Sequence, residues 1–324
     1  MSDARMRLID TEATGASLPY GALVDALQSG FVTGCTVPVR HHHRMEKSGE
    51  PDATLLLMPA WSKAEDQDQF LGVKLVTVVP GNTTRGLPGL TSTYILYDGV
   101  TGQQLALMDG NVITSRRTVA TSALAARYLA RDDAKSLLVI GSGRVASQIP
   151  DAYRAVRAIE KVLVWDINNE GAKKLVRSLN DKGIDSEVVT DLEQSVGVAD
   201  IISAATLATS PIIKGAWVRK GTHIDLIGGF TPKMREADDA ALTKARAFVD
   251  TREALHEAGD LVQPIQSGVV AEEHVLGTLV DLAKGNLNGR TSTDEITYFK
   301  AVGSALADLV AARMVYEQIC TERQ

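Results

Sequence analysis

The chain has 324 residues, of which 44% are hydrophobic and 23% are charged, so it is long enough to bury more than one hydrophobic core. A formal charge of −6, with no basic run interleaved with aromatic residues, argues against a nucleic-acid partner, and no segment approaches the roughly 20 apolar residues that a membrane-crossing helix needs. With two cysteines, Cys35 and Cys320, and no apolar signal sequence after the N-terminal charges, we expect a cytoplasmic protein with reduced thiols.

The N-terminal third of the chain changes from a helical pattern to a strand pattern. A helix is predicted from Ser17 and Pro19 to Gly30, because Leu23, Val24 and Leu27 form one apolar stripe. Short apolar runs separated by turn residues then predict strands over 53–58, 72–79, 92–97 and 105–108, in one mixed or antiparallel sheet. A helix over 118–130 follows and is suited to connect two domains.

After this helix, strands and helices alternate with short loops. Strands are predicted over 136–140, 162–165, 187–189, 201–204, 223–227 and 247–250. Such alternation is typical of a parallel, doubly wound α/β sheet. The last stretch, 298–318, has apolar residues at helical spacing, and we expect it to fold back onto the first domain.

A glycine loop follows the strand at 136–140, where a helix that extends through about Ala158 is predicted to begin. Two glycines and a small residue there permit a tight turn, close approach of a pyrophosphate and close packing of the helix, whose free amides face the anion. The pattern alone is weak, but its position after a buried strand makes it specific. We expect cofactor contacts from Gly141, Ser142, Gly143, Arg144, Val145 and Ala146.

Asp166 ends the next predicted strand, 20 residues after Ala146. A carboxylate there accepts hydrogen bonds from both ribose hydroxyls and repels a 2′-phosphate, which favours NAD(H), although Asn168 and Arg144 leave NADP(H) possible. The alternative is that Asp166 caps the following helix. Thr206, Leu207 and Ala208 follow another strand, and we expect this loop to line the nicotinamide side.

Three cationic positions lie at strand ends or turns of the first domain: Arg40, Lys74 and Arg116-Arg117. Arginine binds a carboxylate through two nitrogens, and a lysine in a poorly solvated site can exchange a proton. Each of them taken alone could equally be a surface charge. Lys74 is the most informative, because it interrupts an otherwise apolar strand.

The run His41-His42-His43 is not expected to bind a metal. Adjacent residues of a strand point to opposite faces, so the three imidazoles cannot converge on one ion. One of them could still reach a substrate as an acid, and His223, in a predicted strand, is interpreted as structural.

Several segments together resemble the ornithine cyclodeaminase/mu-crystallin family. The most specific is MDGNVITSRRT over 108–118, and the others are MPAW at 58–61, VKLVT at 73–77, the glycine loop, TLAT at 206–209 and GTHI at 221–224. The resemblance implies a homodimer whose subunit has two domains. A Rossmann domain, 118–304, would be inserted in a smaller α+β substrate-binding and dimerisation domain, 1–117 plus 305–324.

The resemblance also implies residue roles. Arg40 and Arg117 would hold a substrate carboxylate, Lys74 would contact the substrate and take part in proton transfer, and Thr118 would contact the cofactor. Members of the family pass a hydride between nicotinamide and the carbon that carries an amino or imino group beside a carboxylate.

One departure separates this chain from the cyclodeaminases, which have an acid/base aspartate where this sequence has Phe230. Because phenylalanine carries no proton, we expect reduction of an existing C=N bond, with Phe230 packing against an apolar ring. The segment 225–232 is similar to that of bacterial reductases of cyclic imino acids. The expected reaction is NAD(P)H-dependent reduction of Δ1-pyrroline-2-carboxylate to L-proline, with Δ1-piperideine-2-carboxylate as a second substrate.

Three other activities stay open. Ornithine cyclodeaminase activity would need a substitute acid such as Asp225, and alanine dehydrogenase activity would use open-chain imines. A non-catalytic nucleotide-binding or small-ligand-binding role, of the mu-crystallin type, would retain the same residues.

Overall fold

The computed structural model describes residues 6–321, apart from the side chains of Thr83 and Thr321, so residues 1–5 and 322–324 of the predicted first domain lie outside the described part. The described chain forms two compact units. Unit 1 comprises 6–117 and 304–321, and unit 2 comprises 118–303. The roles expected for the two domains stay predictions.

Unit 1 begins with strand β1 (Arg7–Ile9) and helices α1 (Thr11–Ala16) and α2 (Tyr20–Thr33). Five strands follow: β2 (His41–Met45), β3 (Ala53–Trp61), β4 (Phe70–Val78), β5 (Leu90–Asp98) and β6 (Gln104–Asp109). The sheet has the order β1-β6-β5-β4-β3-β2, and it is mixed because β1 pairs with β6 in parallel while the other pairs are antiparallel. Along the central strands, buried residues alternate with half-buried ones.

Helix α3 (Gly110–Leu129) carries the chain into unit 2. The strands of unit 2 are β7 (Ser136–Ile140), β8 (Lys161–Trp165), β9 (Ser186–Val188), β10 (Ile201–Ala204), β11 (His223–Leu226), β12 (Ala245–Val249), β13 (Val275–Thr278) and β14 (Ile296–Lys300). Its helices are α4 (Ile149–Arg154), α5 (Asn169–Asp181), α6 (Leu192–Val198), α7 (Asp239–Thr243), α8 (Ala254–Glu257), α9 (Gly259–Gln266) and α10 (Leu279–Ala283).

The sheet of unit 2 is parallel throughout, in the order β13-β12-β14-β11-β10-β7-β8-β9. The predicted parallel α/β sheet is therefore confirmed. From β7 the chain winds first towards β9 and then, from β10, the other way. The carboxyl ends of β7 and β10 form the switch point where ligands bind in such sheets.

Helix α11 (Ala305–Thr321) returns the chain to unit 1, where it packs on α2 and on β3, β4 and β5. The predicted final helix over 298–318 was wrong in its first part. Tyr298 lies in β14, because the run Ile296–Lys300 is rich in β-branched and aromatic residues and pairs with β11 and β12.

The first predicted helix also differs from the structure. Ser17 does not cap α2 but follows α1, where its hydroxyl donates to the carbonyl of Ala13 at 2.9 Å. Helix α2 continues through Gly30 to Thr33. A Cβ at Gly30 would lie 2.4 Å from a methyl group of Val310, so this glycine permits close packing of α2 on α11 instead of ending the helix. Among residues 6–321, no helix combines the length and apolar character needed to span a bilayer.

Candidate active site

Lys74 is buried in the middle of β4, with 2% of its surface exposed. Gly72, Lys74 and Val76 alternate onto the covered face of the sheet, so the ammonium lies in the core of unit 1. A Cβ at Gly72 would lie 2.0 Å from Oη of the buried Tyr94, so glycine is needed there. Burial, together with the charge of Asp308, raises the pKa of Tyr94 well above its usual range, and its hydroxyl therefore stays protonated.

The partner of Lys74 is Asp308 of α11, a residue that the sequence analysis did not single out. Its Oδ2 lies 2.7 Å from Lys74 Nζ, and its Oδ1 accepts a hydrogen bond from Arg117 Nε at 2.7 Å. Asp308 is fully buried, and Arg117, near the middle of α3, is 5% exposed. The missed signal was a lone carboxylate in the apolar run 305–312, which a helix buries only when cations compensate it.

The buried cluster of Lys74, Arg117 and Asp308 carries one surplus positive charge when all three are ionised. Burial, together with the neighbouring charges of Arg117 and Arg40, lowers the pKa of Lys74 to about 8, while Asp308 opposes the shift. Burial disfavours ionised Asp308, but Arg117 and Lys74 outweigh it and hold the pKa of that carboxyl below its ordinary value. The cluster is therefore suited to bind an anion and to exchange a proton near neutral pH.

Arg40 and the histidines lie at the edge of unit 1. Arg40 is half-buried in the segment before β2, close enough to Lys74 for its charge to affect the lysine. His41, His42 and His43 are exposed on β2, the edge strand. Within the described ranges no group of three or more potential ligands among His, Cys, Asp and Glu is arranged to hold a metal ion.

The glycine loop of unit 2 lies at the switch point of its sheet. Gly141 has φ +109°, and a Cβ there would lie 2.9 Å from the carbonyl oxygen of Ala205, which follows β10. Gly143 is exposed, and a Cβ there would meet nothing within 4 Å, so the loop has an open side where a phosphate can approach the backbone.

The helix predicted after this loop, through about residue 158, is shorter than expected. A 3-10 turn over Ala146–Gln148 precedes α4, which ends at Arg154. Pro150 in the first turn of α4 lacks an N–H, and the preceding residues take up the tighter turn. The amides open to an anion here are therefore those of the loop itself more than those of a long helix.

Asp166 lies at the end of β8, beside the glycine loop. Its Oδ2 accepts a hydrogen bond from Ser142 Oγ at 2.6 Å, and its Oδ1 accepts one from the backbone N–H of Asn168 at 2.7 Å. The alternative that Asp166 caps the next helix was wrong, because Asn168 is the N-cap of α5. Ile167, which the sequence analysis did not select, is 92% exposed next to the carboxylate and offers an apolar surface to a flat ring.

The loop 206–208 follows β10 on the other side of the switch point. Backbone N–H and Oγ1 of Thr206 both donate to one carboxylate oxygen of Glu236, at 2.7 and 2.8 Å. Leu207 is 77% exposed and Ala208 is half-buried. Thr118, the first residue of unit 2, is half-buried on α3.

Phe230 and Asp225 differ in their access to solvent. Phe230 follows β11 and is 47% exposed, so its ring is available to a ligand. Asp225 is fully buried within β11 and accepts a hydrogen bond from Ser203 Oγ at 2.5 Å. Burial raises its pKa to about 6. Asp225 therefore belongs to the interior of unit 2.

The residues at the switch point fit a dinucleotide. An open glycine loop, a carboxylate 20 residues beyond Ala146, and the loop after β10 lie at the carboxyl ends of adjacent strands. These are the features that pyrophosphate, ribose and the second half of a dinucleotide require.

Comparison with known proteins gives consistent similarities. The sequence matches the ornithine cyclodeaminase/mu-crystallin family over residues 9–323. It is 41% identical to the Δ1-pyrroline-2-carboxylate reductase of Paracoccus denitrificans, over 94% of each chain.

Two solved structures have a similar fold over almost the whole chain. The fold is similar to Δ1-pyrroline-2-carboxylate reductase of Thermococcus litoralis in complex with NADH and L-proline, with a TM-score of 0.92, 34% identity and 98% of each chain covered. It is also similar to an archaeal alanine dehydrogenase dimer with bound NAD, with a TM-score of 0.89 and 30% identity, over 98% of this chain and 97% of the other.

Proposed function

Because the chain belongs to the ornithine cyclodeaminase/mu-crystallin family, we propose that it is an NAD(P)H-dependent ketimine reductase that converts Δ1-pyrroline-2-carboxylate to L-proline. Reduction of Δ1-piperideine-2-carboxylate to L-pipecolate is a second activity of the same site. The observation that carries the proposal is the buried cluster of Lys74, Arg117 and Asp308, together with a phenylalanine where a cyclodeaminase needs an acid.

The substrate is a small cyclic imine with a carboxylate on the imine carbon. Arg117 and Arg40 bind the carboxylate, whose charge balances the surplus positive charge of the cluster. Asp308 accepts from Nε of Arg117 and thereby fixes the orientation of the guanidinium. Phe230 packs against the apolar carbons of the ring.

Lys74 holds the proton that the product nitrogen requires. Its Nζ is an ammonium at neutral pH, but its pKa of about 8 makes it a better donor than an ordinary lysine. Lys74 Nζ keeps the imine nitrogen protonated, so the adjacent carbon becomes electrophilic. Asp308 holds Nζ in place by the ion pair at 2.7 Å.

The cofactor site of unit 2 comprises Thr118, the glycine loop, Asp166 and the loop 206–208. When bound there, NADH supplies the hydride that the imine carbon accepts. The carboxylate of Asp166 favours NADH over NADPH because it accepts the ribose hydroxyls and repels a 2′-phosphate.

The alternative activities are less well supported. An ornithine cyclodeaminase needs an acid/base group at the substrate, and Asp225 is fully buried with Ser203 donating to it. An alanine dehydrogenase would use an open-chain imine, for which the exposed ring of Phe230 offers no specific contact. A non-catalytic nucleotide-binding protein would not require a lysine of lowered pKa.

The decisive experiment compares two reactions by the absorbance of the reduced nicotinamide. NADH or NADPH is mixed with Δ1-pyrroline-2-carboxylate in one, and NAD⁺ with L-ornithine in the other. We expect oxidation of the reduced cofactor and formation of proline in the first, and no proline in the second. Proline from ornithine would support the cyclodeaminase, and no change in either reaction would favour a binding protein.

Lys74→Met tests the mechanism separately. The variant retains the length of the side chain without the proton, so kcat falls by about 10²-fold or more while NADH still binds. Lys63→Met, at a half-buried lysine of unit 1 that donates to the carbonyl of Thr33, is the matched control. Equal turnover by Lys74→Met and the control would exclude Lys74 from catalysis.

A homodimer is part of the proposal. Helix α11, on which α2 packs, covers one face of the sheet of unit 1, and the opposite face presents half-buried apolar side chains: Leu55, Leu57, Val73, Leu75, Ile95 and Leu107. Such a group of apolar side chains on one face of a sheet is typical of a subunit interface. The archaeal alanine dehydrogenase of similar fold is a dimer. A cytoplasmic location stays a prediction.

A further inference from the structure

Beneath the loops at the switch point of unit 2 lies a second group of buried charges. Glu236, Asp260 and Lys300 are essentially unexposed, yet none of them belongs to the proposed substrate cluster. Lys300 ends β14, Asp260 is in the first turn of α9, and Glu236 is in the segment between β11 and α7. Burying three ionisable groups is costly unless each has a partner, so their contacts indicate what they hold in place.

Hydrogen bonds and one ion pair connect these three residues in a continuous series. Lys300 Nζ lies 3.3 Å from Asp260 Oδ2 and also donates to the carbonyl oxygen of Gly228. Asp260 Oδ1 accepts from the backbone N–H groups of Glu236 and Ala237, at 2.8 and 3.0 Å. The lysine and the aspartate therefore fix the backbone of the residue that bears the third charge.

This series of contacts ends at the loop 206–208. Glu236 accepts both the backbone N–H and the hydroxyl of Thr206, and the N–H of the neighbouring Arg235 donates to the carbonyl of Ala208 at 2.7 Å. Both ends of the loop are thus bound to one short segment. The side chain between them, Leu207, is 77% exposed and adds little packing of its own.

The neighbouring loop after β11 packs closely against the same buried charged residues. A Cβ at Gly228 would lie 2.2 Å from the carbonyl oxygen of Thr206 and 2.4 Å from Oε1 of Glu236. Gly229 has φ +62°, and a Cβ there would lie 2.3 Å from Asp260 Oδ2. Only glycine fits at both positions, so Glu236 and Asp260 also determine the path of the backbone just before Phe230.

We propose that Glu236, held by Asp260 and Lys300, is a positioning residue that fixes the loop 206–208 and with it the nicotinamide half of the cofactor. This inference rests on the proposed function, because it assumes a dinucleotide at the switch point. The carboxylate of Glu236 accepts from Thr206, whereas Asp166 accepts from Ser142 of the glycine loop, so we expect the adenosine half of the cofactor to depend little on Glu236.

The test compares two ligands, NADH and ADP-ribose, which lacks the nicotinamide. For Glu236→Ala we expect the Kd of NADH to rise about tenfold, since the two hydrogen bonds that hold Thr206 are lost, while the Kd of ADP-ribose stays within about twofold. Glu236→Gln keeps an acceptor for Thr206 and is expected to restore most of the NADH affinity.

The matched control is Asp200→Ala. Asp200 is a mostly buried carboxylate that accepts the backbone N–H groups of Lys135 and Ser136, both at 2.9 Å, at the amino end of β10. Its loss removes two similar backbone hydrogen bonds, together with ion pairs to Arg131 and Arg219, at the opposite end of the strand from the loop 206–208. The control should lower stability without changing the ratio of the two Kd values.

Two results would overturn the inference. One is equal weakening of NADH and ADP-ribose in Glu236→Ala, and the other is the same Kd ratio in Glu236→Ala and Asp200→Ala. If Glu236→Ala does not fold, Asp260→Asn provides the second variant. It weakens the hydrogen bonds to the backbone of Glu236 but retains the Glu236 carboxylate. We expect the same change in the ratio of the two Kd values. Wild-type protein that binds neither ligand would refute the proposed function, and the inference with it.

Discussion

Asp308 Oδ2 lies 2.7 Å from Lys74 Nζ, and neither side chain has more than 3% of its surface exposed. The carboxylate comes from the last helix and the ammonium from the fourth strand, so residues 234 positions apart in the sequence form one ion pair. Because Arg117 shares the carboxylate, removing it would leave two buried cations side by side.

Asp308→Asn is expected to lower kcat/KM for the imino acid by about 10²-fold, since it removes the anion that stabilises the ammonium of Lys74. The pKa of Lys74, about 8 in the wild type, falls further. Loss of activity on the alkaline side, where Lys74 loses its proton, therefore begins at a lower pH. Rates measured across pH test this shift, and an unchanged alkaline limb would contradict it.

The control for this variant is Asp68→Asn. Asp68 pairs with Arg313 of α11 at 3.3 Å, but its side chain is 66% exposed. A surface pair contributes little, so both activity and the pH profile should stay close to those of the wild type.

Asp225→Asn is expected to change how stability depends on pH. The pKa of Asp225 is raised from 3.8 to about 6 in the folded protein, so between these values the unfolded chain ionises while the folded chain resists ionisation. Stability from this group is thus present below the unfolded pKa and is lost as pH rises through the folded pKa. We expect the unfolding free energy of Asp225→Asn to rise relative to that of the wild type, by up to about 3 kcal/mol, as the pH increases from about 4 to 7.

The unfolding free energies of the variant and the wild type must be compared at each pH, because His223 changes the stability of both in the opposite direction. Burial lowers its pKa to about 3, so the stability it contributes is present above its unfolded pKa and is lost as pH falls. The histidine is common to both proteins, and the difference between them isolates Asp225. A difference that does not vary with pH in denaturant titrations would refute the assignment.

Asp166→Ser is expected to raise the KM for NADH by about tenfold and to reduce the preference over NADPH, because the ribose loses a charged acceptor. Steady-state kinetics with both cofactors measure the ratio. Thr278→Ala is the control: it removes the cap of α10, at the far edge of the sheet from β8, and lowers stability by about 1 kcal/mol without changing the ratio. An unchanged ratio in Asp166→Ser would remove this residue from the ribose site.

Leu75→Asp is expected to give a folded monomer, because it places a charge in the apolar face of the sheet that we assign to the dimer interface. Light scattering during size-exclusion chromatography measures the mass. Val100→Asp, at a turn residue that is 74% exposed, should remain dimeric. A wild-type monomer, or a dimer of folded Leu75→Asp, would contradict the proposed interface.

Local patterns predicted most of the fold. The alternation of apolar strands and helices predicted the parallel sheet of unit 2, and Lys74 attracted attention because a charge interrupted an apolar strand. The family resemblance, based on motifs across the chain, is confirmed over residues 9–323. These features depend on neighbours in the sequence or on segments that a family shares.

What could not be predicted depends on residues brought together from distant parts of the chain. The position of Asp308 in the sequence gives no information about its contact with Lys74, because the contact depends on how α11 packs on β4. Gly30 has the sequence signature of a helix end, but its role is set by Val310. Ser17 and Pro150 show that capping and helix-start signals leave the helix boundaries uncertain.

The division of unit 1 between two segments of chain has a consequence during synthesis. Unit 2 is continuous over 118–303, whereas unit 1 lacks α11, and with it Asp308, until all of unit 2 has been synthesised. We therefore expect the second unit to fold on the ribosome before the first, although its residues are made later. Stalled chains that end shortly after residue 303 has left the ribosome should resist proteolysis in unit 2 and be cleaved in unit 1.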